Sequence, residues 1–181
     1  MAINTVSTTL PQAGINFNLA YPVATTASTA TSSSLENPSP PWVVGTVELG
    51  SVATEWVFCI AGGTVAAGDF VVITTATFTA TAITSTLARA ALGGMCGIAG
   101  AAVTVGQFFW VCRKGYITGA NVATSATAFA VLHTTTTAGR LDSNSSANTT
   151  ATVSPVVGLA TAASNTANVV MSGSVYVSAL D

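Results

Sequence analysis

After Pro41 the chain reads as a succession of short apolar runs separated by turn residues. Trp42–Val47 and Glu55–Ile60 come first, the second closed by Gly62-Gly63, and Ala66-Ala67-Gly68-Asp69 then turns into Phe70–Ile73. Runs of this length, rich in Val, Ile, Phe and Trp and bounded by glycine, predict strands. The cleanest period-two pattern follows, with Thr75, Thr77, Thr79 and Thr81 alternating with Ala76, Phe78, Ala80 and Ala82. Successive side chains of a strand point to opposite faces, so this segment predicts a half-buried antiparallel strand with one hydroxyl face. Ile98–Val105 is punctuated by Gly and Ala, and Gln107–Arg113 predicts a strand that is apolar on both faces. Such a strand needs cover on both sides, from the core and from a second sheet or a subunit. Further strands are expected over Ala126–His133, Val153–Leu159, Asn168–Met171 and Ser174–Leu180, with Thr134–Thr152 as a polar loop or hairpin tip.

Ahead of Trp42 the pattern is different. Residues 24–41 are small and polar, with no apolar period, and end in Pro38, Pro40 and Pro41. A segment of that kind buries too little apolar surface to offset its ordering entropy alone. Residues 1–41 are therefore expected to form an N-terminal arm or linker and residues 42–181 a β-rich core. Within the arm Ile15, Phe17, Leu19 and Tyr21 alternate, a pattern suited to one added strand or to an anchor on a neighbouring subunit. The fold class that follows is all-β, an antiparallel barrel or sandwich of short strands. Laying Gly97–Ala102 over Gly158–Ala163 brings Phe108-Phe109-Trp110 over Val169-Val170-Met171, a weak repeat that would make the core two similar units.

Composition adds a second constraint. Only ten of 181 residues are charged, 6% of the chain, against about a quarter in ordinary soluble domains. Half the chain is apolar and Thr supplies 30 positions, so the water-facing surface is made largely of hydroxyls. Four basic residues cannot neutralise many phosphates, which argues against nucleic-acid binding. A net charge of -2 leaves little repulsion between copies and favours association. Ala90–Cys112 carries no charge, yet it contains five glycines and Gln107, so buried strands separated by turns explain it better than a membrane span.

Candidate chemistry is sparse. Cys59, Cys96 and Cys112 are odd in number and lack any CxxC spacing, which points to small buried hydrophobes, with no disulfide framework or zinc site. His133 is the single histidine, and Glu36, Glu48, Glu55, Asp69, Asp142 and Asp181 are scattered singly, with no pair at an acid/base or metal-ligand spacing. Gly93-Gly94-Met95-Cys96-Gly97 lacks the Lys-Ser/Thr of a phosphate loop. No enzyme, cofactor, metal or small-molecule substrate is expected. Met1-Ala2-Ile3-Asn4-Thr5 lacks the basic and apolar regions of a secretory signal, so a cytoplasmic site of synthesis is expected. Phe109, Trp110 and Val111 are the candidate aromatic and apolar anchors of a subunit interface, and the adjacent Arg113-Lys114 pair is the candidate contact for an acidic patch on a partner.

The order of pieces from Gly63 onward is distinctive: Gly63–Val71, then Gly97-Ile98-Ala99, then Val105–Val111 with Lys114-Gly115, then Val156–Ala163 and a terminal apolar strand. Over about two-thirds of the chain this order resembles the small β-rich capsid decoration, or head cement, proteins of tailed bacteriophages. The resemblance implies a homotrimer on the outside of the expanded capsid, bound to the major capsid protein, with arms reaching neighbouring capsomers. It would place the chain in the virion, where it cements adjacent capsid subunits. A tail- or fibre-associated receptor-binding module is the alternative expectation, since such modules also use Thr- and Ala-rich β-structure.

Overall fold

The computed structural model describes residues 15–21, 42–90, 94–123, 126–143, 152–158 and 165–178. Ten strands run through the described residues: β1 (Val47–Leu49), β2 (Glu55–Ala61), β3 (Phe70–Thr74), β4 (Thr79–Ala82), β5 (Met95–Ala99), β6 (Phe108–Asn121), β7 (Val131–Thr134), β8 (Leu141–Asp142), β9 (Thr152–Gly158) and β10 (Thr166–Ser178). One 3-10 turn, Ser51–Ala53, and one short helix, Ser85–Ala90, interrupt them. The strands form one sheet in the order β1-β2-β4-β3-β5-β6-β10-β9-β7-β8. A further antiparallel pairing of β2 with β6, from Trp56↔Cys112 to Ile60↔Phe108, closes β2, β4, β3, β5 and β6 into a five-stranded barrel. Among the described strand pairs only β2 and β4 run parallel. The all-β barrel expected from the sequence is therefore the fold.

Two buried clusters divide the core, and the alternation along each barrel strand sorts residues between them. Val57, Cys59, Val71, Ile73, Ala80, Ala99, Phe109 and Val111 belong to a cluster drawn from the barrel strands together with Val65 and Val103. That cluster fills the barrel, and Val65 and Val103 pair with each other across its rim through reciprocal 2.9 Å hydrogen bonds. The intervening residues, Trp56, Phe58, Phe70, Val72, Cys96, Ile98, Trp110 and Cys112, form a second cluster with Ile83, Leu132, Leu141, Val169 and Met171. These last come from the helix approach and the added strands, which wrap the outer wall. Strands buried on both faces lose their alternation and read as continuous apolar runs, which is why Gln107–Arg113 carries no polar face. Both faces are covered within one chain. Close spacing inside the barrel is visible at Gly97, where an added Cβ would stand 2.5 Å from the Cys112 carbonyl oxygen.

Several sequence expectations shift. The Thr/Ala alternation from Thr75 is a hairpin: β3 ends at Thr74, residues 75–78 turn, and only Thr79–Ala82 pair, with Val71↔Ala82 to Thr74↔Thr79 as register. The turn closes on Phe78 at φ +50, a left-handed conformation without the Gly or Asn that normally announces it. Phe78 seats over Gly45, where a Cβ would lie 2.5 Å from the ring. Gly45 itself turns at φ +89, so of Trp42–Val47 only Val47 is in a strand, and residues 42–46 are a turn leading into β1. The strand read over Ala126–His133 is confined to β7, with residues 128–129 in a turn. The segment at 168–171 and residues 174–178 of the segment at 174–180 belong to one long strand, β10, and residues 179–180 lie outside the described residues. Of the repeat's second copy, residues 159–163 lie outside the described residues. In the part described the registers differ: Ile98 faces Cys112 between β5 and β6, whereas Gly158 faces Val169, the counterpart of Phe108, between β9 and β10.

The core also reaches back into the expected arm. Ile15 and Phe17 are buried, Phe17 stacks on Trp56 with ring centroids 4.7 Å apart, and Tyr21 exchanges two backbone hydrogen bonds with Phe108. Ile15, Phe17 and Tyr21 of the alternating residues thus pack on their own barrel, with a single bridge at Tyr21, and Leu19 is exposed. The Ser/Thr/Pro-rich stretch at 24–41 lies outside the described residues.

Candidate functional site

The five residues singled out as interface candidates lie on β6 and separate into two kinds. Phe109 and Val111 point into the barrel and Trp110 into the outer cluster, each with no exposed surface. β6 is paired on both sides here, with β2 and with β5, so no face is left for a partner. Trp110 sits among aromatic rings, 5.0 Å from Phe58, 5.2 Å from Trp42 and 5.3 Å from Phe17. Its indole N–H meets no acceptor in hydrogen-bond geometry, although the Tyr21 phenol lies near enough to feel it. These three residues are core, and the interface expectation for them is corrected accordingly.

Arg113 and Lys114 do not end the strand. β6 continues to Asn121 because the chain bulges at Arg113 against β2 and because Gly115, at φ +105, accepts the bend. The Arg113 guanidinium pairs with the Glu55 carboxylate and its Nη1 lies 3.6 Å from Met95 Sδ. Lys114 is exposed. Glu55 faces Lys114 on β6 and Leu49 on β1 in the ladder, so the three form a row across the sheet. With Glu55 neutralised by Arg113, Lys114 supplies the uncompensated charge of that row.

The row leads to the sheet edge. Among the described residues β1 pairs with β2 alone and stands at one end of the strand order, whereas β8, at the other end, is flanked by Val122 and accepts a 2.8 Å hydrogen bond from Ala123 at Leu141. Along β1, Val47 is 44% and Leu49 65% exposed, and Val43 just before it is 78% exposed. An edge strand carrying apolar side chains is a template for pairing and burial against another chain. Sequence reading missed this surface. Its only signal is the Val47-Glu48-Leu49 alternation, which the preceding apolar residues obscure.

Chemistry elsewhere is consistent with packing. Among the described residues no three His, Cys, Asp or Glu side chains gather at metal-binding distance. His133 faces Asp142 and Thr152 in the ladder, and its Nδ1 is buried without a partner. Asp69 accepts 2.8 Å hydrogen bonds from the Ala66 N–H and the Asn121 amide, which ties the turn before β3 to the end of β6. Cys59, Cys96 and Cys112 are free and buried. Desolvation raises all three thiols, Cys96 and Cys112 to about 12 from 9.0; Cys112 also donates a 3.2 Å hydrogen bond to the Lys114 carbonyl.

A thiol raised on folding ionises first in the unfolded chain. Its contribution to stability is full below the unfolded value of 9.0 and is lost as pH climbs toward 12. The unfolding midpoint is expected to hold level around neutrality and to fall above about pH 9. Alkylation of the native protein at neutral pH should proceed only as fast as the chain opens; rapid labelling of any of the three would contradict their burial.

Comparison with protein families, curated proteins and solved structures gives no match for this chain. The functional reading rests on its own residues.

Proposed function

We propose that this chain is a structural virion protein that decorates the outside of a bacteriophage capsid as a homotrimer and cements adjacent subunits of the major capsid protein. The observation that carries the reading is the edge strand β1, which exposes Val47 and Leu49 on a molecule with ten charged residues in all, with exposed Lys114 in the row of Leu49 on the far side of Glu55. The order of glycine-bounded strands, which resembles that of decoration proteins, supports it, and so does a barrel core whose apolar faces the chain itself covers.

The mechanism follows from edge-strand chemistry. A capsid segment pairing along β1 gains backbone hydrogen bonds and buries Val43, Val47 and Leu49, while Lys114 meets a carboxylate on the shell. Binding to the expanded lattice alone stabilises that state by mass action. Each contact is small, and repetition within a trimer and around the shell multiplies it.

The test is co-sedimentation of the purified chain with shells taken before and after expansion. Pelleting with the expanded form only is expected; equal pelleting with both, or with neither, counts against cementing. Lys114→Gln should change folding stability by no more than about 0.5 kcal/mol, as exposed positions do, and weaken shell binding with a flatter salt dependence. Arg113→Glu sets two carboxylates together across β2 and β6 and should lower the unfolding midpoint as well. Unchanged binding by Lys114→Gln would remove the electrostatic part of the contact.

A further inference from the structure

The barrel carries a cleft that the assembly surface does not use. It has a volume of about 460 Å³ and lies between the turn at Ser51, the Phe17-Asn18 segment and the second half of β6. Its origin is a change of partner along β6. The strand pairs with β2 as far as Lys114 and with β10 from Gly115 onward, and a second bulge sets Thr118 and Gly119 against the single residue Asn168. Over residues 116–119 the ladder runs with β10 only, and the other side of the strand opens onto the cleft.

We propose that this cleft binds a neutral saccharide. None of the residues lining it is charged, so an ionic ligand finds no counter-charge. Its walls combine rings, Phe17, Trp56 and Tyr116, with hydroxyl and amide side chains, Ser51, Thr118 and Asn18. A sugar ring presents an apolar C–H face to an aromatic side chain and hydroxyls that both donate and accept. That matches a wall of rings beside hydroxyls and strand backbone. Tyr116 is 39% exposed and is the ring available for stacking, whereas Trp56 is held from behind by Phe17 and donates a 3.0 Å hydrogen bond to Thr54. Thr54 in turn donates to the Ser51 carbonyl at 2.8 Å, so the wall is set before any ligand arrives. Gly119, at φ +74, has nothing within 4 Å of where a Cβ would stand, which leaves backbone open to close approach.

The cleft's shape favours a compact ring over an extended peptide. The unpaired stretch of β6 is closed at one end by Lys114 facing Glu55 and at the other by the 2.9 Å hydrogen bond from the Asn121 N–H to the Gly68 carbonyl. An added strand has no way through, whereas about 460 Å³ lies inside the usual range of about 300–1,000 Å³ for small-ligand sites.

The experiment is ligand-observed NMR and calorimetry on the full chain with methyl hexosides, lactose, maltose and N-acetylglucosamine, beside glucuronate and sialyllactose as charged counterparts and an uncharged peptide library. Saturable binding of at least one neutral sugar is expected, with charged analogues weaker. Tyr116→Ala should reduce affinity about tenfold, and Thr118→Trp should block the cleft without moving the unfolding midpoint. Ser51→Trp blocks from the opposite wall, so misfolding of one variant leaves the other as the test. No binding by any neutral sugar, binding that survives both blocking variants, or selection of peptides in their place would overturn the proposal.

Discussion

Replacing Trp110 by alanine is expected to remove about 3–5 kcal/mol of folding stability, the cost of deleting a large aromatic side chain from a packed core. The residue has no exposed surface and packs against Phe17, Trp42 and Phe58, so the cavity left by truncation would be shared by the strand layer and by the segment that covers it. Natural domains hold about 5–15 kcal/mol in total, so the variant should melt well below the parent and populate unfolded chain at moderate temperature. Chemical denaturation at unchanged slope is the measurement. A variant as stable as the parent would return Trp110 to the surface and dissolve the two-cluster description of the core. Trp110→Phe should lose much less, because its N–H has no acceptor to lose.

The second large effect falls on the surface. Val47→Lys combined with Leu49→Lys is expected to leave the unfolding midpoint nearly unchanged, since both side chains are about half exposed or more in the isolated chain. Shell binding should fall by at least about tenfold, because charge on an edge strand is the device by which natural sheets refuse further pairing and because apolar anchors dominate such contacts. Competition of the variant against the parent for expanded shells reads this directly. Equal competition would move the contact away from β1. The two experiments are complementary: Trp110 should change folding, and Val47 with Leu49 should change binding alone.

That division was only partly legible in the sequence. Strands whose apolar runs are bounded by glycine were placed within a residue or so: Glu55–Ile60 is β2, Phe70–Ile73 lies within β3, and Val153–Leu159 overlaps β9. The burial of Gln107–Arg113 on two sides was legible as well. The source of the second cover was not, because Leu132, Leu141, Val169 and Met171 reach the barrel wall from elements distant in sequence. Local errors have local causes. Phe78 makes a tight turn without a turn residue, so the Thr/Ala alternation ran on through it. Gly115 suggested a strand end, and in the fold it serves a bulge that lets β6 continue.

The functional surfaces were the least legible of all. The row Leu49-Glu55-Lys114 exists only once three strands are in register. The cleft draws on the Phe17 segment, the Ser51 turn, the end of β5 and the bulged half of β6, and no motif joins them. A charge-poor composition signalled association without locating it. The same composition explains why the aromatic strand attracted attention as an interface: in a chain with so few charges, apolar density alone does not separate core from contact surface.

The central claim is that the chain is a capsid component present throughout the shell. Its most direct test is the copy number of the chain in purified particles, measured by quantitative protein composition against the major capsid protein. The account predicts a ratio of order one. A handful of copies per particle would point to a tail or receptor-binding part, and absence from the particle would contradict the virion reading outright.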